Sequence, residues 1–308
     1  MQDEANQFNP QLANLGEGEW LTKLSQIAEA HGDFTALGTE HFAAFVNGND
    51  TLFVSFETVQ GIRSLSEAQS PLGWELSRAL GWSSLCLVSN GDTWFRDAEI
   101  YAFFDNLIDD GAFDAYERVV FYGAGPCGYA AAAFSVASPG ATVVAIQPQA
   151  TLDPTITNWD PRFVSKRRTD FSSRYGYAPD MLDAASEAFI IYDPSETFDA
   201  MHAALFSRPN VTKLRVRHLG GAIQTQFINM EILFRILAKA SVGKLNPATF
   251  AQIWRVRRDH PPYLRNLLAA IDNQGHDYRS KVLCEYVVGR RPAPFFARRL
   301  KSLKSLAG

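Results

Sequence analysis

Three stretches of this 308-residue chain carry residue types that could do chemistry together. The first is Gly123-Ala124-Gly125-Pro126-Cys127-Gly128, closely spaced glycines around a thiol. Such glycines let a backbone turn sharply and let a ligand or a second backbone come close. The second is Asp193, which ends the apolar run 188–192 and precedes a proline. The third is His218, which follows the run 211–216 and precedes Leu219-Gly220-Gly221. A carboxylate beside an imidazole moves protons, and a thiol or a water is what such a pair activates.

The elements that must position these groups are legible nearby. Residues 119–122 form the short apolar run of a buried parallel strand. Small residues from Tyr129 to Val136 predict a helix packed tightly on a sheet, Pro139-Gly140 ends it, and 141–146 is the next strand. This is a βαβ unit. Gly123-x-Gly125-x-x-Gly128 in its first turn resembles the fingerprint of flavin- and nicotinamide-binding Rossmann domains. That resemblance implies an acid at the end of the second strand for the ribose hydroxyls, where this chain has Gln147 and Gln149.

The same turn also resembles the nucleophile elbow of α/β-hydrolases. In that register Gly125 takes the nucleophile position, Cys127 and Gly128 fill the small positions behind it, and Pro126 takes the backbone position of the oxyanion pocket. The elbow backbone is strained for a side chain, and glycine relieves that strain. Cys127 lies in the first helical turn, where the helix N-terminus lowers a thiol pKa. The order elbow, Asp193, His218 is the nucleophile, acid, histidine order of that superfamily. His218 reads equally as a helix cap, and His202 as a helix-face residue near Asp199.

The surrounding chain fits the hydrolase resemblance over about residues 40–240. Strands are expected at 41–46 and 51–56, with Asn47-Gly48-Asn49-Asp50 as a hairpin turn between them. Helices are expected at 20–30, 72–80, 94–108, 198–206 and 223–240, and a further strand at 84–89. The resemblance implies that Glu57, Thr58 or Val59 supplies an oxyanion N–H. Residues 152–186 break the alternation and would form a lid. There Arg162 sits among basic and aromatic residues that suit an anionic group or a solvated loop with its aromatics turned inward. The segment from Gln147 and Gln149 to Asp160-Pro161-Arg162 resembles hydrolase relatives among polysaccharide-handling proteins.

Bulk properties exclude several classes. Net charge is −4 and hydrophobic residues make up 46%, so one large core fits and neither nucleic acid nor a membrane surface is favoured. Three cysteines lack metal spacing, and no signal peptide or long apolar span is present, which predicts a cytoplasmic protein. From residue 251 onward 12 Lys or Arg face 4 Asp or Glu, a basic helical tail suited to docking on the acidic body.

The expected organisation is an N-terminal helical segment (1–35), loose up to about residue 18, then an α/β-hydrolase-like domain with a mainly parallel sheet (36–243) and the tail (244–308). The expected function is a non-catalytic or atypical relative of ester and acyl hydrolases that keeps a small-molecule pocket and needs no metal or cofactor. Its expected partner is an anionic or carbohydrate-related small molecule, with self-association open. The alternatives are a hydrolase using Cys127 or a His218–Asp193 activated water, and a dinucleotide-binding oxidoreductase using Gly123, Gly125 and Gly128.

Overall fold

The computed structural model describes residue 8 and residues 10–306. One eight-stranded sheet organises it: β1 (Gly32–Leu37), β2 (His41–Val46), β3 (Asn49–Thr58), β4 (Trp82–Ser89), β5 (Arg118–Ala124), β6 (Thr142–Ile146), β7 (Glu187–Tyr192) and β8 (Val211–Arg215). The spatial order is β1-β2-β4-β3-β5-β6-β7-β8. β2 pairs antiparallel with β1 and β4, and every pairing from β4 to β8 is parallel.

The helices are α1 (Glu17–His31), α2 (Val59–Leu65), α3 (Leu72–Leu80), α4 (Ala98–Asp109), α5 (Pro126–Phe134), the short α6 (Pro154–Thr157) and α7 (Ala178–Met181), and α8 (Thr197–Leu205). Then come α9 (Ile223–Asn229), α10 (Leu233–Ser241), α11 (Pro247–Ile253), α12 (Pro261–Asn273), α13 (Asp277–Val288) and α14 (Pro294–Leu306). Successive strand residues face opposite ways. Val119 and Phe121 of β5 therefore enter the core beneath α5, while Val120 and Tyr122 enter the one beneath α9 and α10. The strand order, antiparallel edge and strand-to-helix turn after β5 make this an α/β-hydrolase fold. The sheet order gives no support to the dinucleotide-binding reading, whose turn follows the first strand of a 3-2-1-4-5-6 sheet, while the glycine turn of this chain follows the fifth.

The hairpin expected at Asn47–Asp50 does not form. β2 and β3 are consecutive in the chain, yet β4 lies between them. Gly48 explains how the chain crosses: a Cβ there would lie 2.4 Å from the Trp82 carbonyl carbon, so only glycine passes beneath the start of β4. The Gly48 N–H donates to Ser83 Oγ (2.9 Å) and the Asn49 N–H to the Gly81 carbonyl (2.7 Å). The local hairpin partner of β2 is β1, which its mixed polar sequence conceals.

Other boundaries move for local reasons. α4 begins at Ala98 because Asp97 caps it, accepting the Glu99 N–H (2.8 Å), while Trp94 and Phe95 before it hold left-handed φ of 60° and 55°. The long helix expected at 223–240 breaks into α9 and α10 at Glu231, whose φ is 55°. Residues 1–7 and 9 of the expected loose segment lie outside the described residues, but Leu12 is fully buried with Trp20 and Leu24. Phe250 and Ile253 of α11, with Trp254, pack into the core beneath β5–β8. α12, α13 and α14 build a separate core around Leu264, Leu268, Cys284 and Phe296, linked to the first through Tyr263. Among the described residues, no ion pair joins this basic region to the acidic body. Arg299 pairs with Asp272 (2.9 Å) and Arg290 with Asp259 (3.8 Å), both inside it.

Candidate functional site

Gly125 holds φ 57° and ψ −126°, a conformation that side chains rarely adopt. Its N–H donates to the Ile146 carbonyl (2.8 Å), and its own carbonyl receives the Tyr129 N–H (3.0 Å), which starts α5. Behind it Gly123 is obligatory, since a Cβ there would lie 2.0 Å from the Cys127 carbonyl oxygen. At Gly125 a Cβ would meet nothing within 4 Å. Pro126 opens the helix at a position that suits proline. Proline has no N–H, so the expected role of Pro126 in an oxyanion pocket is chemically closed to it.

A cavity of about 500 Å³ opens beside this turn, at the carboxyl ends of β3, β4 and β5. Ligands of open α/β sheets bind at such an edge, where the strand order reverses. Ala124, Pro126 and Cys127 form one side, Glu57 and Thr58 another, and the break between α9 and α10 supplies Ile228, Leu233 and Phe234 as a roof. Thr58 caps α2, accepting the Gly61 N–H (2.9 Å).

Glu57, expected as a backbone donor, has its side chain bonded into the surrounding wall. Its half-buried carboxyl accepts the Ser55 hydroxyl (2.7 Å) and the Leu72 N–H (3.1 Å to each oxygen). Burial, with a smaller push from the Glu75 charge, overcomes those bonds and raises its pKa to about 7. Cys127 is buried in the wall, and its pKa moves opposite to the helix-terminus expectation. Burial pushes the thiol far up, and the charges of Glu57 and Asp92 add to the rise. It stays a thiol at neutral pH.

Asp193 and His218 stand away from this cavity, and neither lines it. No hydrogen bond or ion pair joins them among the described residues. Asp193 is fully buried, with Oδ1 accepting the Ser195 N–H and Oδ2 the Gly220 N–H, both at 2.8 Å. It therefore clamps the loops after β7 and β8. His218 sits at φ 68° in the second of these loops; burial lowers its pKa against the opposing pull of Asp193.

Gln147, Gln149 and Arg162 meet in a closed polar cluster at the end of β6. Gln147 donates from Nε2 to Asp199 Oδ2 (2.6 Å) and accepts the Ile223 N–H (3.2 Å). Gln149 donates to the Gln147 carbonyl (3.2 Å). Arg162 is forked between Asp160 (2.8 Å) and Asp199 (2.6 Å), so the cation expected to meet an anionic ligand already has two carboxylates. His202 completes the cluster. Its Nδ1 accepts the Ala150 N–H (3.2 Å), which leaves Nε2 as the donor to Asp160 Oδ2 (3.1 Å). Burial lowers the pKa of His202 and so favours this neutral form. The same burial works against the Asp160 charge, but the Arg162 bonds prevail and hold that carboxyl below its usual range. The His202–Asp160 pair spans 42 residues, and no sequence signal announces it.

No group of three or more metal-ligating side chains occurs among the described residues, and no described helix is long and apolar enough to cross a membrane. No protein-family model matches the chain, and no curated protein matches it. Solved structures do. A hyperthermophilic esterase from the archaeon Pyrobaculum calidifontis aligns with 12% identity and a TM-score of 0.46, over 74% of this chain and 92% of the other. Carboxyl esterase 2 of the fungus Tuber melanosporum aligns with 15% identity and a TM-score of 0.44, over 69% and 84%. The capsule O-acetyltransferase of Neisseria meningitidis serogroup A aligns with 11% identity and a TM-score of 0.43, over 65% and 91%.

Proposed function

We propose that this α/β-hydrolase-fold protein binds a small molecule in the cavity beside its elbow and does not carry out covalent acyl transfer. The observation that supports this reading most is the pair Gly125-Pro126. Gly125 has the strained φ/ψ expected of an elbow, while a side chain at that position and an N–H at the next are both missing. Loss of the nucleophile removes the covalent route. Loss of a single oxyanion donor alone costs about 10²–10³ in rate in a serine hydrolase. Cys127, held as a thiol, is a poor replacement, and His218 has no carboxylate bonded to orient it.

The cavity remains, and its size falls within the range of about 300–1,000 Å³ common to small-molecule sites. The test is turnover of p-nitrophenyl acetate and butyrate, with fluorophosphonate labelling, by wild type, Gly125→Ser, and Gly125→Ser with Pro126→Ala. Neither wild type nor the single variant is expected to exceed buffer. Wild-type turnover that disappears in Cys127→Ala would refute the proposal.

A further inference from the structure

The walls of the cavity carry one sign of charge. Glu57, Glu75, Asp92 and Glu231 line it, and no Lys, Arg or His does. Glu57 and Glu75 lie on the inner wall, each held in place by neutral donors: Ser55 and the Leu72 N–H for Glu57, Ser66 and Ser70 for Glu75. At the rim Asp92 pairs with Lys166 (3.6 Å), and Glu231 is exposed. Among the described residues, no cation pairs with Glu57, Glu75 or Glu231. The other side of the fold treats its carboxylates differently, giving Asp160 and Asp199 the Arg162 fork. Carboxylates drawn even partly out of water, as Glu57 and Glu75 are, are ordinarily paired, because losing hydration is costly for a charge. Here the counter-charge is missing and space for it is present. The rest of the lining is apolar and aromatic, with Phe56, Ile62, Leu65, Phe95, Leu233 and Phe234 among it.

Resting on the binding role proposed above, we infer that the cavity takes an organic cation, its ammonium or amidinium group against the Glu57–Glu75 wall and its hydrocarbon or aryl body in the apolar remainder. An anionic ligand would add a further negative charge beside Glu57, Glu75 and Glu231, which have no cation of their own among the described residues. A cation supplies the missing partner and is also attracted to aromatic faces. Binding favours the ionised form of Glu57, so the cation displaces a proton wherever that group is still protonated.

The experiment is calorimetric titration of the full chain with octyltrimethylammonium, octan-1-ol and octanoate. It is run at about pH 8 and about pH 6, on either side of the Glu57 pKa of about 7. At the higher pH the cation is expected to bind about tenfold more tightly than the alcohol, with octanoate weakest. The preference should narrow at the lower pH and in Glu57→Gln, while octan-1-ol affinity holds. If octan-1-ol binds and the cation shows no advantage, the cation inference falls and the binding pocket stands. If no probe binds, both fall. Should Glu57→Gln fail to fold, Glu75→Gln provides the same comparison. Leu65→Trp, which fills the cavity, must weaken all three probes; unchanged binding would place them elsewhere and overturn the inference.

Discussion

Replacing Glu57 by glutamine should make the stability of this protein less dependent on pH, with a direction opposite to that of an ordinary paired carboxylate. In the unfolded chain the carboxyl titrates near its ordinary 4.5, and in the fold near 7. Below the lower value both states are protonated. As pH rises through the window the unfolded chain releases its proton while the fold keeps it, so folding loses free energy until the higher value is passed. The separation corresponds to about 3 kcal/mol, lost between about pH 4.5 and 7 and absent in the variant. Glutamine with its oxygen at the Oε1 position keeps the Ser55 and Leu72 bonds but sets an NH2 group 3.1 Å from the Leu72 nitrogen, where the carboxyl presents a second oxygen, a cost of about 1 kcal/mol. Glu57→Gln should therefore be about 1 kcal/mol less stable than wild type at low pH and about 2 kcal/mol more stable above neutrality. Urea unfolding at several pH values measures both, provided the slopes agree. A difference that stays constant from acid to alkaline pH would refute the argument that burial perturbs this carboxyl.

Gly123→Ala should unfold the protein or cost more than about 3 kcal/mol, whereas Gly125→Ala should cost only about 1–2 kcal/mol, because the first clashes with backbone and the second is only strained. Thermal melts of the two variants check this, and equal losses would contradict the elbow register. Arg162→Met should destabilise by about 3–5 kcal/mol by leaving Asp160 and Asp199 buried with neutral donors and no cation. Arg174→Met, at the exposed Asp105 pair, should cost less than about 1 kcal/mol, and chemical denaturation separates the two. Cys86, Cys127 and Cys284 are all buried with raised pKa values, so the native protein should resist iodoacetamide at mildly alkaline pH. Mass spectrometry should find three alkylated sites only after denaturation.

The βαβ unit was legible because its requirements are local. Gly123 must clear the Cys127 carbonyl, Gly128 must pass the Ile146 carbonyl, and the alanines of α5 must lie flat on the sheet. The missing N–H of Pro126 is equally plain in the sequence, since it belongs to the residue type. What escaped the sequence belongs to pairs brought together only by the fold. Asp160 with His202, Arg162 with Asp199, and Gln147 with Ile223 are separated by 42, 37 and 76 residues. Asp193 and His218 each sit just past a strand end, as their neighbours suggest, but which group they bond depends on how two loops close. Glu57 shows another limit: its position at the end of β3 was readable, while its chemistry comes from the cavity that α3, α9 and α10 enclose.

The crossing at Gly48 has a consequence for how the sheet assembles. Asn47-Gly48 carries the local chemistry of a tight turn, and a chain emerging residue by residue meets β3 immediately after β2. The native partner of both is β4, and that strand follows only after α2 and α3. β2 therefore cannot zip onto its immediate successor. The central contacts wait for a loop of more than thirty residues to close, which places much of the barrier in chain entropy rather than in side-chain fit. A permuted chain in which β4 directly follows β2 would shorten that search while leaving every contact at the turn between β5 and α5 in place.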